Sequence, residues 1–168
     1  MHRQHFAAPF ALCLIAGLAT AVTGRLIENW PYDRLFREAD VVVIAVAEKT
    51  AETQDRFDPK IWTTQFIGQS TTFVVASTLK GKAEKKLEVL HYKVPPNALL
   101  ENGPLLVTFR TEPIRIERPN LQARFGPPEY LLFLKRLPDG RLAPVSGAID
   151  PELSVREIYS PLPAVFEK

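Results

Sequence analysis

The sequence predicts a mainly β protein, a small barrel or sandwich of about five to six short strands with short flanking helices. Three observations support this fold class. Runs rich in β-branched and aromatic residues recur along the chain, separated by glycine, proline and asparagine. The long helical segments that would connect parallel strands are missing from the pattern. The length of 168 residues suits one domain with its own core.

The N-terminus has the pattern of an export signal. Arg3 forms a short basic region, "FALCLIAGLATAV" follows as an apolar stretch, and Ala19-Thr20-Ala21 offers small residues for cleavage. The apolar stretch is shorter than the ~20 residues that span a bilayer comfortably. We therefore predict a signal peptide over residues 1–21, cleaved near residues 21–24, and a secreted or periplasmic protein. A buried N-terminal helix is the alternative.

Removal of the signal changes the available chemistry. Cys13, the single cysteine, leaves with it, and His91 becomes the single histidine of one predicted domain over residues 22–168. Loss of Arg3 leaves 20 of the 21 basic residues against 19 acidic ones, a net charge of about +1. So small a charge predicts no binding to nucleic acid and no attraction to an anionic membrane. We expect no stable membrane insertion after cleavage.

The first elements of the mature chain are a short helix and a strand. Residues 25–37 predict an entry segment with a short helix, because Pro31 suits a first helical position. The run from Val41 to Ala47 has seven apolar residues, mostly β-branched. Both of its faces are apolar, which predicts a strand covered on both sides.

Two further strands are expected after a polar segment. Residues 51–70 are polar and predict a long hairpin or loop with Ile61, Trp62 and Phe66 folded inward. Residues 70–82 then predict a strand that Gly81 ends, and residues 85–94 predict another strand.

The second half of the chain is punctuated by proline. Residues 105–110 predict a strand, and residues 111–128 predict an extended loop because they contain four prolines. Residues 129–147 predict a hairpin, since Asp139-Gly140 is a turn signal between two strand-like runs. From Asp150, an acidic residue followed by proline predicts a short helix through Ile158, and the Pro161/Pro163 tail should be extended.

Side chains that could carry catalysis do not form a recognisable set. His91 lacks a second histidine or a cysteine in the mature chain, so a strand histidine at a barrel rim or in the core is the expected role. Phosphate-binding glycine loops and nucleophile-elbow motifs do not occur in the sequence. We assign no catalytic, cofactor-binding or metal-ligating residue and expect no cofactor. The carboxylates considered for acid–base chemistry, without convergent spacing, are Asp33, Glu38, Asp40, Asp55, Asp58 and Glu101.

Two groups of side chains suggest binding. The segment Lys80–Lys86 carries four lysines and could bind an anionic partner, although lysines at a turn usually form a solvated rim. The aromatic residues Trp30, Tyr32, Trp62 and Phe66 could form an exposed platform for a glycan or peptide, whereas anchoring in the core or a loop is the commoner role.

Three segments resemble a known family. The segments "READVVVIAVAEKT", "TTFVVASTLKG" and "EYLLFLKRLPDGRLAPVSG" are similar to the framework of netrin-like domains, the group that includes the tissue inhibitors of metalloproteinases. The resemblance includes Phe73, Val75, Lys80 and Gly81. It implies a five-stranded OB-type β-barrel flanked by helices. In the inhibitors of that group, an N-terminal cysteine of the mature chain binds the protease zinc. This sequence has no cysteine at residues 22–28, so that mechanism does not transfer to it.

The sequence therefore predicts a non-catalytic binding module of unknown ligand, with a protein or cell-envelope component as its partner. The expected surfaces are residues 51–70, Lys80–Lys86 and residues 111–128, because loops carry function on barrel scaffolds. The alternatives are an exported hydrolase that uses carboxylates and a structural protein of the cell envelope.

Overall fold

The computed structural model describes residues 25–118 and 121–158. The predicted signal peptide and the Pro161/Pro163 tail lie outside the described residues. Within them, no helix is both long and apolar enough to cross a membrane. The elements are α1 (Tyr32–Glu38), β1 (Val41–Phe57), β2 (Phe66–Lys80), β3 (Lys86–Lys93), β4 (Ile114–Arg118), β5 (Leu121–Phe125), β6 (Glu129–Arg136), β7 (Leu142–Pro144), a 3₁₀ helix (Pro151–Ser154) and β8 (Val155–Ile158).

Five strands close into a barrel, which confirms the predicted fold class. The hydrogen-bonded order is β1-β2-β3-β7-β6, and β6 pairs again with β1 to close the ring. β3 and β7 are parallel neighbours, joined at Val89 and Leu142, and the other pairs of the ring are antiparallel. β8 extends the sheet by pairing with β6. This is an OB-type arrangement, with the first three strands as a meander and the last two reversed in order.

The apolar run at the start of β1 is buried on both faces, as predicted. Val41, Val43 and Ala45 lie in the core inside the barrel. Val42 faces outward into a second cluster, where it packs with Leu35 of α1. Burying each such side chain contributes roughly 1.5–3 kcal/mol, so this strand is central to stability.

The helix α1 is held against the barrel by β2. Pro31 is its N-cap, one position before the helical site expected for it. At the other end, the Lys80 ammonium donates hydrogen bonds to the carbonyl oxygens of Phe36 (2.6 Å) and Arg37 (3.0 Å). A cation there satisfies helix carbonyls that lack an intrahelical partner and suits the negative end of the helix dipole.

The predicted hairpin over residues 129–147 is confirmed. β6 and β7 pair antiparallel, with Leu134 opposite Pro144. Gly140 lies in the turn with a φ of 88°, a conformation that suits glycine.

The predicted strand over residues 105–110 is wrong. These residues are extended but form no strand, because β7 takes the ladder position beside β3 and the ring is closed. The segment instead passes into the barrel core, where Val107 and Phe109 are buried. Its strand-like composition reflects burial and not backbone pairing.

Two other predictions for the second half of the chain are also wrong. Residues 111–128 are not an extended loop throughout, because β4 and β5 form a hairpin with Ile114 opposite Phe125. Pro113, Pro127 and Pro128 flank those strands and do not interrupt them. The helix expected from Asp150 to Ile158 is a single 3₁₀ turn that ends at Ser154, after which the β-branched Val155 and Ile158 continue as a strand paired with β6.

The polar segment over residues 51–70 is mostly strand. β1 continues to Phe57 and β2 begins at Phe66, so the connecting loop covers residues 58–65. Phe66 is buried, as predicted, whereas Ile61 is 62% exposed and does not fold inward.

Candidate functional site

An ion pair ties the N-terminal segment to the far end of the chain. The Arg25 guanidinium forms a bidentate pair with the Asp150 carboxylate, with 2.6 Å between Nη2 and Oδ1, and also donates to the carbonyl oxygen of Gly103 at 3.3 Å. The same carboxylate accepts a hydrogen bond from the Leu105 amide at 2.9 Å. The hydrogen bonds from Arg25 hold the pKa of Asp150 below its ordinary value, so the pair remains ionised well into acid.

Trp62 joins the loop between β1 and β2 to this network. Its indole Nε1–H donates to the carbonyl oxygen of Glu101 at 3.1 Å, and the Arg25 guanidinium lies 5.7 Å from its ring centroid. On its other side, Trp62 stacks on the buried Phe66 ring at 5.9 Å. The N-terminal segment, the loop over residues 58–65 and residues 99–105 therefore meet, together with Asp150, at one end of the barrel.

Each of these three segments carries an exposed aliphatic side chain next to the network. Leu26 and Leu99 are each 96% exposed, and Ile61 is 62% exposed. Leu26 follows Arg25, Ile61 precedes Trp62, and Leu99 lies two residues before Glu101. We call Leu26, Ile61 and Leu99, together with the Arg25–Asp150 pair and Trp62, the loop-end surface.

His91 lies in the barrel core, which is one of the two places the sequence allowed for it. It is 2% exposed, and burial lowers its pKa to about 4. Its Nε2 lies 2.8 Å from the Thr71 hydroxyl oxygen, which is 2.7 Å from the Thr50 hydroxyl oxygen. A buried neutral imidazole between a threonine and an aromatic ring has no access to a substrate.

Most of the carboxylates considered for catalysis are engaged by basic side chains or by a backbone amide, and Asp33 and Glu38 share Arg37. Asp40 accepts a hydrogen bond from the Arg136 amide at 2.8 Å, and Glu38 pairs with Arg34 at 3.0 Å. The structure adds an ion pair in which Asp55 receives both Arg141 guanidinium donors, at 2.7 and 2.8 Å, and these bonds lower the pKa of Asp55. The described residues contain no cluster of three or more metal-ligating side chains. Further contacts are Asp33 with Arg37, Asp58 with Lys60, and the Glu101 carbonyl with Trp62.

Two of the four lysines of the lysine-rich turn have partners within the described residues. Lys80 is engaged at the end of α1, and Lys86 forms an ion pair with Glu48 at 2.7 Å. Gly81, next to Lys80, has a φ of 75°, and a Cβ atom there would lie 2.2 Å from the Asp40 carbonyl oxygen. Lys80, Gly81 and Asp40 therefore have structural roles.

The four aromatic residues considered for a platform lie in two different places. Trp62 and Phe66 belong to the loop end, whereas Tyr32 is the first residue of α1 and Trp30 packs against Arg34 of that helix. An apolar groove of about 470 Å³ runs between α1 and the outer sheet surface near Tyr32. It is lined by Tyr32, Asp33, Phe36, Arg37, Val42, Leu79, Leu131 and Phe133.

Most of the loop-end surface could not be found from the sequence. Arg25 and Asp150 are 125 residues apart, and no local pattern pairs them. Residues 51–70, which contain Ile61 and Trp62, are an expected binding surface, and Trp62 is a candidate for an aromatic platform, but the sequence also predicts that both side chains fold inward. Isolated leucines such as Leu26 and Leu99 are ordinary in a sequence, and their exposure depends on tertiary structure.

No family of known proteins, no curated protein and no solved structure matches this chain. A functional argument therefore depends on the fold and on the site geometry.

Proposed function

We propose that the protein is an exported, non-catalytic binding module of the netrin-like type, which recognises a protein partner through the loop-end surface. The observation that carries this proposal is that three exposed aliphatic side chains, Leu26, Ile61 and Leu99, each lie one or two residues along the chain from a member of one ordered polar network.

A single exposed leucine needs no explanation, but a group of them on adjacent segments marks an interaction site. The Arg25–Asp150 pair and the Trp62 hydrogen bond hold these segments in place before any partner arrives. Such preorganisation reduces the conformational entropy that binding would otherwise cost. Because the leucines project almost fully into solvent, a partner with a concave apolar surface fits them best.

The position of the surface also supports the proposal. Residues 58–65 join the first two strands of an OB-type barrel, and loops of this kind carry ligands in that fold. If the export signal is removed near residues 21–24, the new N-terminus lies beside the Arg25 anchor. Binding at this end would then depend on correct processing of the precursor.

The hydrolase alternative has no comparable support. Asp33 and Glu38 pair with arginine side chains of α1, sharing Arg37, and Asp40 accepts a hydrogen bond from a backbone amide. The contacts seen for these carboxylates serve the helix and the barrel. No feature of the described residues specifically favours the alternative of a structural protein of the cell envelope.

The test compares three forms of the mature chain, residues 22–168, as immobilised bait in the native extracellular or periplasmic fraction. The wild type should enrich a specific protein, and the triple variant Leu26→Ser, Ile61→Ser, Leu99→Ser should lose it at least about tenfold, because each lost hotspot contact costs ~1 kcal/mol or more. The matched control Val74→Ser, Leu79→Ser removes exposed apolar side chains from the outer sheet surface and should bind normally. A photo-crosslinker at position 99 should capture the same protein, and one at position 79 should not.

Two results would contradict the proposal. One is a wild-type bait that enriches no protein. The other is a partner that the triple variant retains while the control variant loses it, which would move the site to the outer sheet surface. All three forms should unfold at the same temperature, since surface substitutions usually change stability by less than about 0.5 kcal/mol.

A further inference from the structure

Residues 105–110, which we call the plug, bury Val107 and Phe109 in the barrel core and bond through Leu105 to the Asp150 carboxylate of the loop-end surface. The plug is held by side chains and not by a strand ladder. At one end, the Leu105 amide donates to Asp150, and at the other, the Arg110 amide donates to the Tyr130 hydroxyl at 2.8 Å. Between them, the Phe109 ring lies edge-to-face with the His91 imidazole at 5.0 Å.

The surroundings of His91 suit a neutral imidazole. Among the described residues, Nε2 has Thr71 as its partner and the buried Nδ1 has none. A proton on Nε2 can be donated to Thr71, which leaves Nδ1 as an unpaired acceptor. The imidazolium would instead carry a second N–H, on Nδ1, which has no acceptor among the described residues.

The charged groups near His91 do not offset such a charge. On the same face of the sheet, Glu52 of β1 and Lys93 of β3 pair with each other at 2.5 Å. On the plug, the Arg110 side chain is exposed, and on β6 the titratable group is Tyr130, whose hydroxyl accepts from the Arg110 amide. Burial is accordingly the cause of the lowered His91 pKa.

We propose that protonation of His91 expels the plug and thereby loosens the loop-end surface, so that a partner bound at neutral pH is released in acid. This inference rests on the proposed function for the identity of the surface. The plug connects His91 to the loop-end surface. Its Phe109 contacts His91, and its Leu105 amide donates to the Asp150 carboxylate that also pairs with Arg25.

The sign of the effect follows from where the proton binds more tightly. With the plug open, His91 meets water and regains a pKa near 6.5, whereas in the closed state its pKa is about 4. The closed state, with the plug in the barrel, is therefore fully favoured above pH 6.5. Its population relative to the open state falls as the pH is lowered toward 4. The open-to-closed ratio should rise about 30-fold at pH 5 and about 300-fold when both states are protonated. Asp150 remains paired over this range, since its pKa is lowered.

Amide hydrogen exchange on the free mature protein tests the proposal without any partner. At pH 5.0 compared with pH 7.5, and after correction for intrinsic exchange, the Leu105 and Arg110 amides should lose protection about 30-fold. The ladder amides of Val43 and Leu132 should be unchanged. His91→Gln keeps a donor for Thr71 but cannot titrate, so it should abolish the response. Tyr92→Phe, a neighbouring residue on the opposite sheet face, should retain it.

Three outcomes would overturn the proposal: constant protection of Leu105 and Arg110, an equal loss at Val43 and Leu132, or an undiminished response in His91→Gln. If His91→Gln does not fold, NMR titration of His91 in the wild type decides. A midpoint near 4 supports the proposal that His91 titrates while buried against the plug, and a midpoint near 6.5 in the folded protein refutes it. Neither measurement involves a partner. The pH response can therefore fail while the binding function holds, and the binding function can fail while the pH response holds.

Discussion

The barrel wall and the loop end of this protein are stabilised by different interactions. In the wall, β1 pairs with both β2 and β6, and its inward side chains, such as Val43, are fully buried. At the loop end, residues 105–110 take part in no ladder, and the segments are joined by the Arg25–Asp150 pair and the Trp62 hydrogen bond. Apolar burial and backbone pairing depend little on pH, whereas ion pairs and a buried imidazole depend on it strongly.

This difference separates folding from function. A closed ring can tolerate a loosened end, because the core inside the barrel is contributed mostly by the wall strands. The loop end can then become more or less ordered with pH or on binding a partner while the barrel stays folded, since binding regions are drawn from the less stable parts of a protein. The predictions below test this division, starting with the wall.

Val43→Asp should abolish folding. Val43 is fully buried inside the barrel, and an unpaired buried carboxylate costs several kcal/mol or more, comparable with a total stability of roughly 5–15 kcal/mol. We expect no soluble protein with a cooperative thermal transition by circular dichroism. Val74→Asp, on the exposed outer face of β2, is the control and should fold. A cooperatively folded Val43→Asp protein would show that this strand is not central to the wall.

Gly81→Ala should destabilise the wall by about 3 kcal/mol, because a positive φ and a backbone clash act together. The added Cβ would lie 2.2 Å from the Asp40 carbonyl oxygen, at the junction of α1 and β1. Gly140→Ala, with a similar φ but no atom within 4 Å of its Cβ, should cost about 1 kcal/mol. Urea denaturation measures both. Equal losses in the two variants would mean that backbone conformation alone matters and that the Asp40 contact can relax.

The wall was largely predictable from the sequence, and the loop end was not. The run from Val41 to Ala47 is apolar on both faces, so its burial followed from composition and strand geometry. The Asp139-Gly140 turn is a local signal, and it located the hairpin correctly. Residues 105–110 have the same strand-like composition, yet a closed ring offers them no ladder. Competition for a pairing edge is a property of the whole topology, which local patterns do not contain.

The candidate site was harder still, because it depends on distant partners. The burial of His91 was foreseen as one possibility, but its contact with Phe109 required the path of the plug. The lysine turn was considered for its charge, and the structure shows that Lys80 and Lys86 are already engaged. Exposure of Leu99 cannot be read from neighbouring residues, since an identical leucine could equally be buried.

Arg25→Ala should have a smaller effect on stability than Val43→Asp or Gly81→Ala, about 2 kcal/mol, because it removes a partly exposed ion pair and leaves the wall intact. The result depends on Asp150, which would lose its guanidinium partner but keep the Leu105 amide. Arg141→Ala, which breaks the more exposed pair with Asp55, is the control and should cost less than about 1 kcal/mol.

A double-mutant cycle of Arg25→Ala with Asp150→Asn separates the pair from its surroundings. A coupling energy of about 1 kcal/mol or more, measured by urea denaturation, would establish that the two residues act together at the loop end. Exchange of the Leu105 amide should accelerate in both single variants while the Val43 amide is unchanged, because the anchor and the plug share one carboxylate. If Arg25→Ala instead weakened the wall amides as much as the plug, the two regions would be one cooperative unit, and the division between a folding wall and a responsive end would be wrong.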